Sequence, residues 1–181
     1  MWVSEWEMAC CGEPFSIGDR VSWHVVAEAE TGGAWQTEIA EAAGGSSIGY
    51  SETHHEPYED DASPLTGRVA RIRAVIRERA SSAADPVFFQ PVPGTVELRD
   101  LGALDRDSGW SSPVTLLDGT PVPPPEPEDF VRVVPQAPVS PGTPETVSFG
   151  WFVSAAGHRP RRHRATEGYL VDLVDVAVGS A

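Results

Sequence analysis

The sequence predicts a mainly-β protein: a small SH3-like or related barrel with an inserted arm that carries one short helix. Three observations predict it. Glycine and proline number 17 each among 181 residues, a load that favours turns and short strands over long helices. Phe15, Ile17, Val21, Trp23 and Val25 share one parity around Gly18-Asp19, which reads as a turn feeding a half-buried strand. Thr66-Gly67-Arg68-Val69 then resumes β character, with β-branched residues continuing to Ile76.

The elements follow in order. Trp2, Val3 and Trp6 give the start of the chain an aromatic weight that predicts an anchored terminus. The strand after Gly18 runs from about Asp19 to Val26. Trp35, Ile39 and Ala42 recur at helical spacing and Gly44-Gly45 stops them, so a short helix is expected over 34–43. Residues 65–76 are expected as a strand, although Val69, Ile72 and Ile76 also fit a helix. Two short strands, 87–90 and 95–98, flank a turn at Pro93-Gly94. Strands are also expected at 114–117 and 130–134, and the segments 147–154 and 169–178 read as a terminal strand pair around a basic loop, 157–166. The six tryptophans are expected in the core. The whole reads as a single domain, 1–181. Residues 27–64 form the inserted acidic arm, and 119–129 and 135–146 are proline-rich surface loops.

The formal charge is −14, unevenly spread. Residues 1–63 hold 13 acids against one base, Arg20, while 64–84 hold five arginines against Glu78. Such a field repels nucleic acid and anionic membrane; it serves solubility, with a cationic partner or basic ligand as the functional alternative. All 13 bases are arginine, which with the alanine, glycine and proline content points to a GC-rich genome. No apolar run approaches the ~20 residues of a membrane span, and the first residues lack the basic flank and apolar run of a signal peptide. A cytoplasmic protein with reduced thiols is the expectation.

One constellation has an evident chemistry. Cys10-Cys11 and His54-His55 supply the sulfur and nitrogen ligands that tetrahedral zinc takes. Neighbours on a strand face opposite ways, so one member of each pair would bind, with His24 as a third ligand and water completing the site. Glu52 or Glu56, flanking the histidines, would then act as general base on a metal-bound water. Against this, the spacing matches no finger, and two small turn cysteines with two solvated histidines account for the same residues.

Other motifs are weaker. Gly45-Ser46-Ser47-Ile48-Gly49 has the nucleophile-elbow pattern, but a helix precedes it and an acidic loop follows, the reverse of the required context. Asp105-Arg106-Asp107-Ser108-Gly109 opens like a calcium loop and lacks its later ligands, so it reads as a turn. His158-Arg159-Pro160-Arg161-Arg162-His163-Arg164 is a cationic run that reads as a solvated hairpin tip; the alternatives are a grip on phosphate or an acidic partner, or pairing with the protein's own acids, such as those of 56–61.

Several pieces together resemble a family of small actinobacterial proteins known as a domain of unknown function. They are Trp6-x-Met8-x-Cys10-Cys11-Gly12-x-Pro14-Phe15-x-x-Gly18, His54-His55, Thr66-Gly67-x-Val69, Pro93-Gly94, Gly109-Trp110 and Gly168-Tyr169-Leu170-Val171. The Cys-Cys-Gly-x-Pro-Phe motif is the distinctive one. The resemblance implies a stand-alone cytoplasmic protein and carries over no reaction or catalytic residue. The functional expectation is a non-enzymatic binding or interaction module with another protein as partner. The alternative is a zinc-dependent protein or hydrolase built on the cysteine and histidine pairs.

Overall fold

Trp2 and Val3 alternate on an extended backbone and so bury on opposite sides of it, which anchors the chain from its second residue. The computed structural model of the protein describes residues 1–28, 34–45, 47–53, 63–82, 88–122, 130–132, 151–153 and 160–179. Its elements are β1 (Trp2–Ser4), α1 (Glu5–Cys11), β2 (Phe15–Ser16), β3 (Arg20–Ala27), α2 (Ala34–Ala42), β4 (Tyr50–Glu52) and β5 (Ser63–Ala80). There follow β6 (Gln90–Pro91), β7 (Glu97–Leu101), β8 (Ala103–Leu104), β9 (Thr115–Leu116), β10 (Phe130–Arg132), β11 (Trp151–Val153) and β12 (Arg161–Val178). The fold is mainly β. Two compact units divide it: Met1–Arg79 with Pro91–Ser112 and His163–Ala181, and Ala80–Gln90 with Pro113–Arg162.

In the first unit β3 pairs antiparallel with β5 through Arg20↔Arg68 to Val25↔Ser63, and with β4 through Val25↔Glu52 to Ala27↔Tyr50. β4 runs parallel to β1, and β1 antiparallel to β12. Since β5 also pairs with β12, the pairings β5–β3–β4–β1–β12 return to β5. β4 lies inside the expected arm and is nonetheless a member of this sheet. Along β5 the buried side chains are Leu65 and Val69, then Ile72, Ala74 and Ile76. Their parity changes where Ala70 and Arg71 both face solvent, and there the partner changes from β3 to β7. One extra residue of this kind re-aims a strand without ending it. β5 therefore runs the 18 residues Ser63–Ala80, well past the expected 65–76.

Two apolar clusters result. One gathers Val3, Met8, Phe15, Val69, Ile72, Leu104, Tyr169 and Val171; the other gathers Trp2, Ile39, Val75 and Leu170. Ile39 is the buried residue of α2, and Gly44 and Gly45 end that helix at φ +86 each, as the sequence predicts. Gly168 stands where β12 crosses β1: an added Cβ would lie 2.4 Å from Trp2 Cζ2 and 2.6 Å from the Val3 carbonyl oxygen. Because backbone blocks one side, Gly168→Ala is expected to cost about 2–3 kcal/mol in denaturant unfolding. An unchanged midpoint would mean that the two strands are not held this closely.

In the second unit β9 pairs with residues 161 and 162, and β10 pairs with β11. This corrects two expectations. Of the expected strand 147–154, the described residues 151–153 form β11 and take β10 rather than 169–178 as their partner. The basic stretch 161–166 is strand rather than loop, because Arg161 opens β12. A third correction concerns the tryptophans: Trp2 is buried, but Trp6, Trp35 and Trp110 are exposed. The side chain of Trp151 lies outside the described residues.

Candidate functional site

The Cys-Cys motif is helical rather than part of a turn, and the reason is local. Ser4 Oγ accepts a hydrogen bond from Glu7 N at 3.1 Å and donates one to Glu7 Oε2 at 3.0 Å. This is a Ser-x-x-Glu cap on the first turn of α1, with Glu5 and Glu7 favourably placed at the positive end of the helix. Met8 is the residue that α1 buries, leaving Trp6 and Cys10 exposed. Gly12 ends the helix, and its N–H donates to Glu7 O at 3.0 Å. A Cβ at Gly12 would lie 2.5 Å from Met8 Sδ and 2.8 Å from Met8 Cα, so the chain must be bare there. Arg106 Nε donates to Gly12 O at 3.1 Å and holds this corner.

Cys10 and Cys11 thus sit side by side on the last turn of α1. Cys11 Sγ donates to Glu7 O at 3.6 Å. Burial, the contact with Cys10 and the nearby carboxyls of Glu52 and Glu7 all push the Cys11 thiol up, so it is a protonated group at neutral pH. A metal would have to displace that proton. Cys10→Ser should leave the melting temperature unchanged, while Cys11→Ser, in a half-buried position, should cost about 1 kcal/mol. Equal melting of both variants with the parent would show that neither thiol supports the fold.

Beside Cys11 opens a cleft of 610 Å³, lined by Cys11, Glu13, Pro14, Phe15, Asp19, Arg20, Val21, Ser22 and Trp23. Phe15 and Trp23 meet edge to face at 5.1 Å and form its apolar floor. Asp19 Oδ2 accepts from Ser16 N at 2.8 Å and fixes the turn between β2 and β3. Gly18 there has φ +97, the conformation that the Gly-Asp pair predicts. The cleft therefore arises from the very motif the sequence singles out, but from its aromatic half.

Glu52 is the second unusual group. It lies across from Val25 in the β3–β4 pair and is 4% exposed. Burial, reinforced by Glu7, pushes its carboxyl up to about 8. A group poised there holds or releases a proton near neutral pH. Glu7 was not legible as a neighbour of Glu52 from sequence, although the Ser4-to-Glu7 spacing signals the helix that brings Glu7 in.

His24 sits on the exposed parity of β3, with Arg20 and Ser22. His54, His55 and Glu56 lie outside the described residues, as do Ser46 of the Gly-x-Ser-x-Gly match, residues 56–61 and residues 158 and 159 of the basic run. Among the described residues no three of His, Cys, Asp and Glu gather closely enough to hold a metal ion. Among the same residues no helix is long and apolar enough to cross a membrane. Asp105 Oδ1 accepts from Asp107 N at 3.0 Å and from Ser108 Oγ at 2.8 Å, so the calcium-like sequence is a turn.

The arginines of 64–84 are occupied. Arg68 pairs with Asp175, Arg71 with Asp100, Arg73 with Asp172, Arg77 with Glu38 and Arg79 with Glu167. Arg164 of the basic run pairs with Glu97. Burial and Arg79 hold the His163 imidazole below its ordinary value, with Glu167 opposing. These cations are spent on the protein's own carboxylates.

No curated protein and no solved structure matches the chain. A family model described as a family of unknown function, DUF6578, matches residues 1–116, which hold both cysteines, the whole cleft and Glu52. With well over half of its length covered by that match, the chain belongs to the DUF6578 family.

Proposed function

We propose that the protein is a non-enzymatic binding module whose ligand occupies the cleft beside α1, on a small SH3-like barrel formed by the β5–β3–β4–β1–β12 ring. The observation that carries this reading is the cleft itself: 610 Å³, inside the range of roughly 300–1,000 Å³ usual for ligand sites, with the Phe15–Trp23 pair at its base and a predominantly polar lining that includes Glu13, Asp19, Arg20 and Ser22. Small barrels commonly bind ligands through their loops, and the support from that is one of fold analogy. A fragment screen followed by amide chemical shifts tests it. Hits should move resonances of residues 11–15 and 19–23 and should vanish in Trp23→Ala. Hits that cluster away from these residues would refute the reading.

A zinc-dependent reading has one observation in its favour. β4 brings the chain to Glu52, beside Glu7 and Cys11, two residues before His54. Cys10, Cys11, His54 and His55 would be the ligands, with His24 as a further candidate. Elemental analysis of protein purified without an affinity tag is the test. Near-stoichiometric zinc, with a lower melting temperature in chelator, is the result this reading requires. Less than about a tenth of an equivalent, with no thermal shift on adding zinc, ends it.

A further inference from the structure

We infer that the cleft takes a small organic cation, an alkylated ammonium ion held between the ring of Trp23 and the carboxylates of Glu13 and Asp19; this rests on the reading of the cleft as a ligand site. The space of 610 Å³ admits a molecule many times larger than a bare ion. Its lining divides by chemistry. Pro14, Phe15, Val21 and Trp23 give it apolar surface, while Glu13 and Asp19 bring two negative charges against the single base Arg20. The surrounding chain reinforces that sign, since residues 1–63 hold 13 acids and Arg20 is their one base. The field in and around the cleft is therefore negative, and it draws cations in.

The aromatic pair decides what kind of cation fits. An aromatic face is the negative end of the ring quadrupole, and among side chains tryptophan attracts cations most strongly. Phe15 is 6% exposed and packs against Trp23, with ring centroids 5.1 Å apart and planes at 68°. The buried phenylalanine thus holds the indole in place, while Trp23 stays half-buried and lines the cleft. Asp19 is fixed in advance as well: its Oδ2 accepts from Ser16 N at 2.8 Å, which leaves Oδ1 for a ligand. A bare ammonium is strongly hydrated, and the exposed carboxylates of Glu13 and Asp19 do not offset the loss of that water. Alkyl groups spread the charge and weaken its hydration, and they meet Pro14, Val21 and Trp23 by apolar contact. An alkylated ammonium therefore satisfies the apolar and the acidic parts of the lining together, with Arg20 alone opposing it.

The test titrates the full chain with choline chloride at constant ionic strength and follows the amide and indole N–H resonances. The Trp23 indole and residues 11–15 and 19–23 should shift saturably. The neutral isostere of choline, with a tert-butyl group in place of the trimethylammonium, should bind at least about tenfold more weakly. Glu13→Gln/Asp19→Asn keeps an acceptor for Ser16 N and should weaken choline binding about tenfold. Trp23→Phe should weaken it less than Trp23→Leu, because a smaller aromatic face remains. Arg20→Gln removes the opposing charge and should tighten binding about two- to threefold. Equal binding of the neutral isostere, or loss of choline binding in Arg20→Gln, overturns the cation assignment and leaves the cleft a ligand site. Silence towards choline while fragments still move the cleft resonances overturns this inference alone. Silence towards choline and fragments alike overturns the reading of the cleft on which it rests.

Discussion

Raising the pH from 5 to 9 is expected to destabilise this protein by on the order of 3–4 kcal/mol through Glu52 alone, and Glu52→Gln should abolish that loss. The sign follows from where the proton is held. Glu52 titrates at about 8 in the folded chain, against an ordinary value of 4.5. Below about 4.5 both folded and unfolded chains carry the proton, and the group contributes nothing. Between the two values the unfolded chain releases it to water while the fold keeps it, so stability falls steadily as pH rises. Above about 8 the folded chain must bury a carboxylate beside Glu7, and the loss reaches its plateau. Glutamine keeps the shape and cannot ionise. The difference in melting temperature between variant and parent should therefore be small at pH 5 and on the order of 10 °C at pH 9. Using the difference cancels the self-repulsion of the other acids, which both proteins share. Parallel melting curves for the two proteins across this range would show that Glu52 is not buried as described.

The parts of the fold carried by local pattern were legible. The parity of Phe15, Val21, Trp23 and Val25 gave β3, and the Trp35–Ile39 spacing with Gly44-Gly45 gave α2 and its stop. The Cys-Cys motif is helical rather than the expected turn because its signal lies upstream, in the Ser4–Glu7 cap, and not in the two cysteines themselves. Partner choice was not legible at all. Nothing local says that Trp151–Val153 pairs with Phe130–Arg132, because that choice depends on which sheet edge is open. The same limit hid the site. Trp23 and Phe15 were visible as core candidates, but the cleft forms only where β2 and the start of β3 meet the corner that Gly12 and Arg106 hold. Glu52 was visible as a flank of the histidine pair; its burial against Val25 and Glu7 comes from the β3–β4 register.

Arg77→Met is expected to destabilise the fold by about 3–5 kcal/mol, the largest loss foreseen for any single ion pair here. Arg77 is 4% exposed, in the stretch of β5 where successive side chains are all buried. Its Nη2 lies 2.8 Å from Glu38 Oε2 on α2. Glu38 Oε1 in turn accepts from the backbone N–H of Gly94, in the turn at Pro93-Gly94. One carboxylate thus clamps a helix, a strand and a turn, and does so over the cluster of Trp2, Ile39, Val75 and Leu170. Removing the guanidinium leaves that carboxylate half-desolvated without its cation, and the desolvation cost already met on folding is no longer offset. The surface pair Arg71–Asp100 has better geometry, with two bonds at 2.7 and 3.1 Å, yet both side chains are at least half exposed. Water replaces that pair at little cost, so Arg71→Met should change stability by no more than about 0.5 kcal/mol. The double variant Arg77→Met/Glu38→Leu should recover most of the loss, since no unpaired charge then remains under the helix. Urea unfolding of the four proteins decides the matter. If Arg77→Met and Arg71→Met unfold at the same midpoint, burial does not set the strength of these pairs, and α2 is held by Ile39 and its apolar neighbours alone.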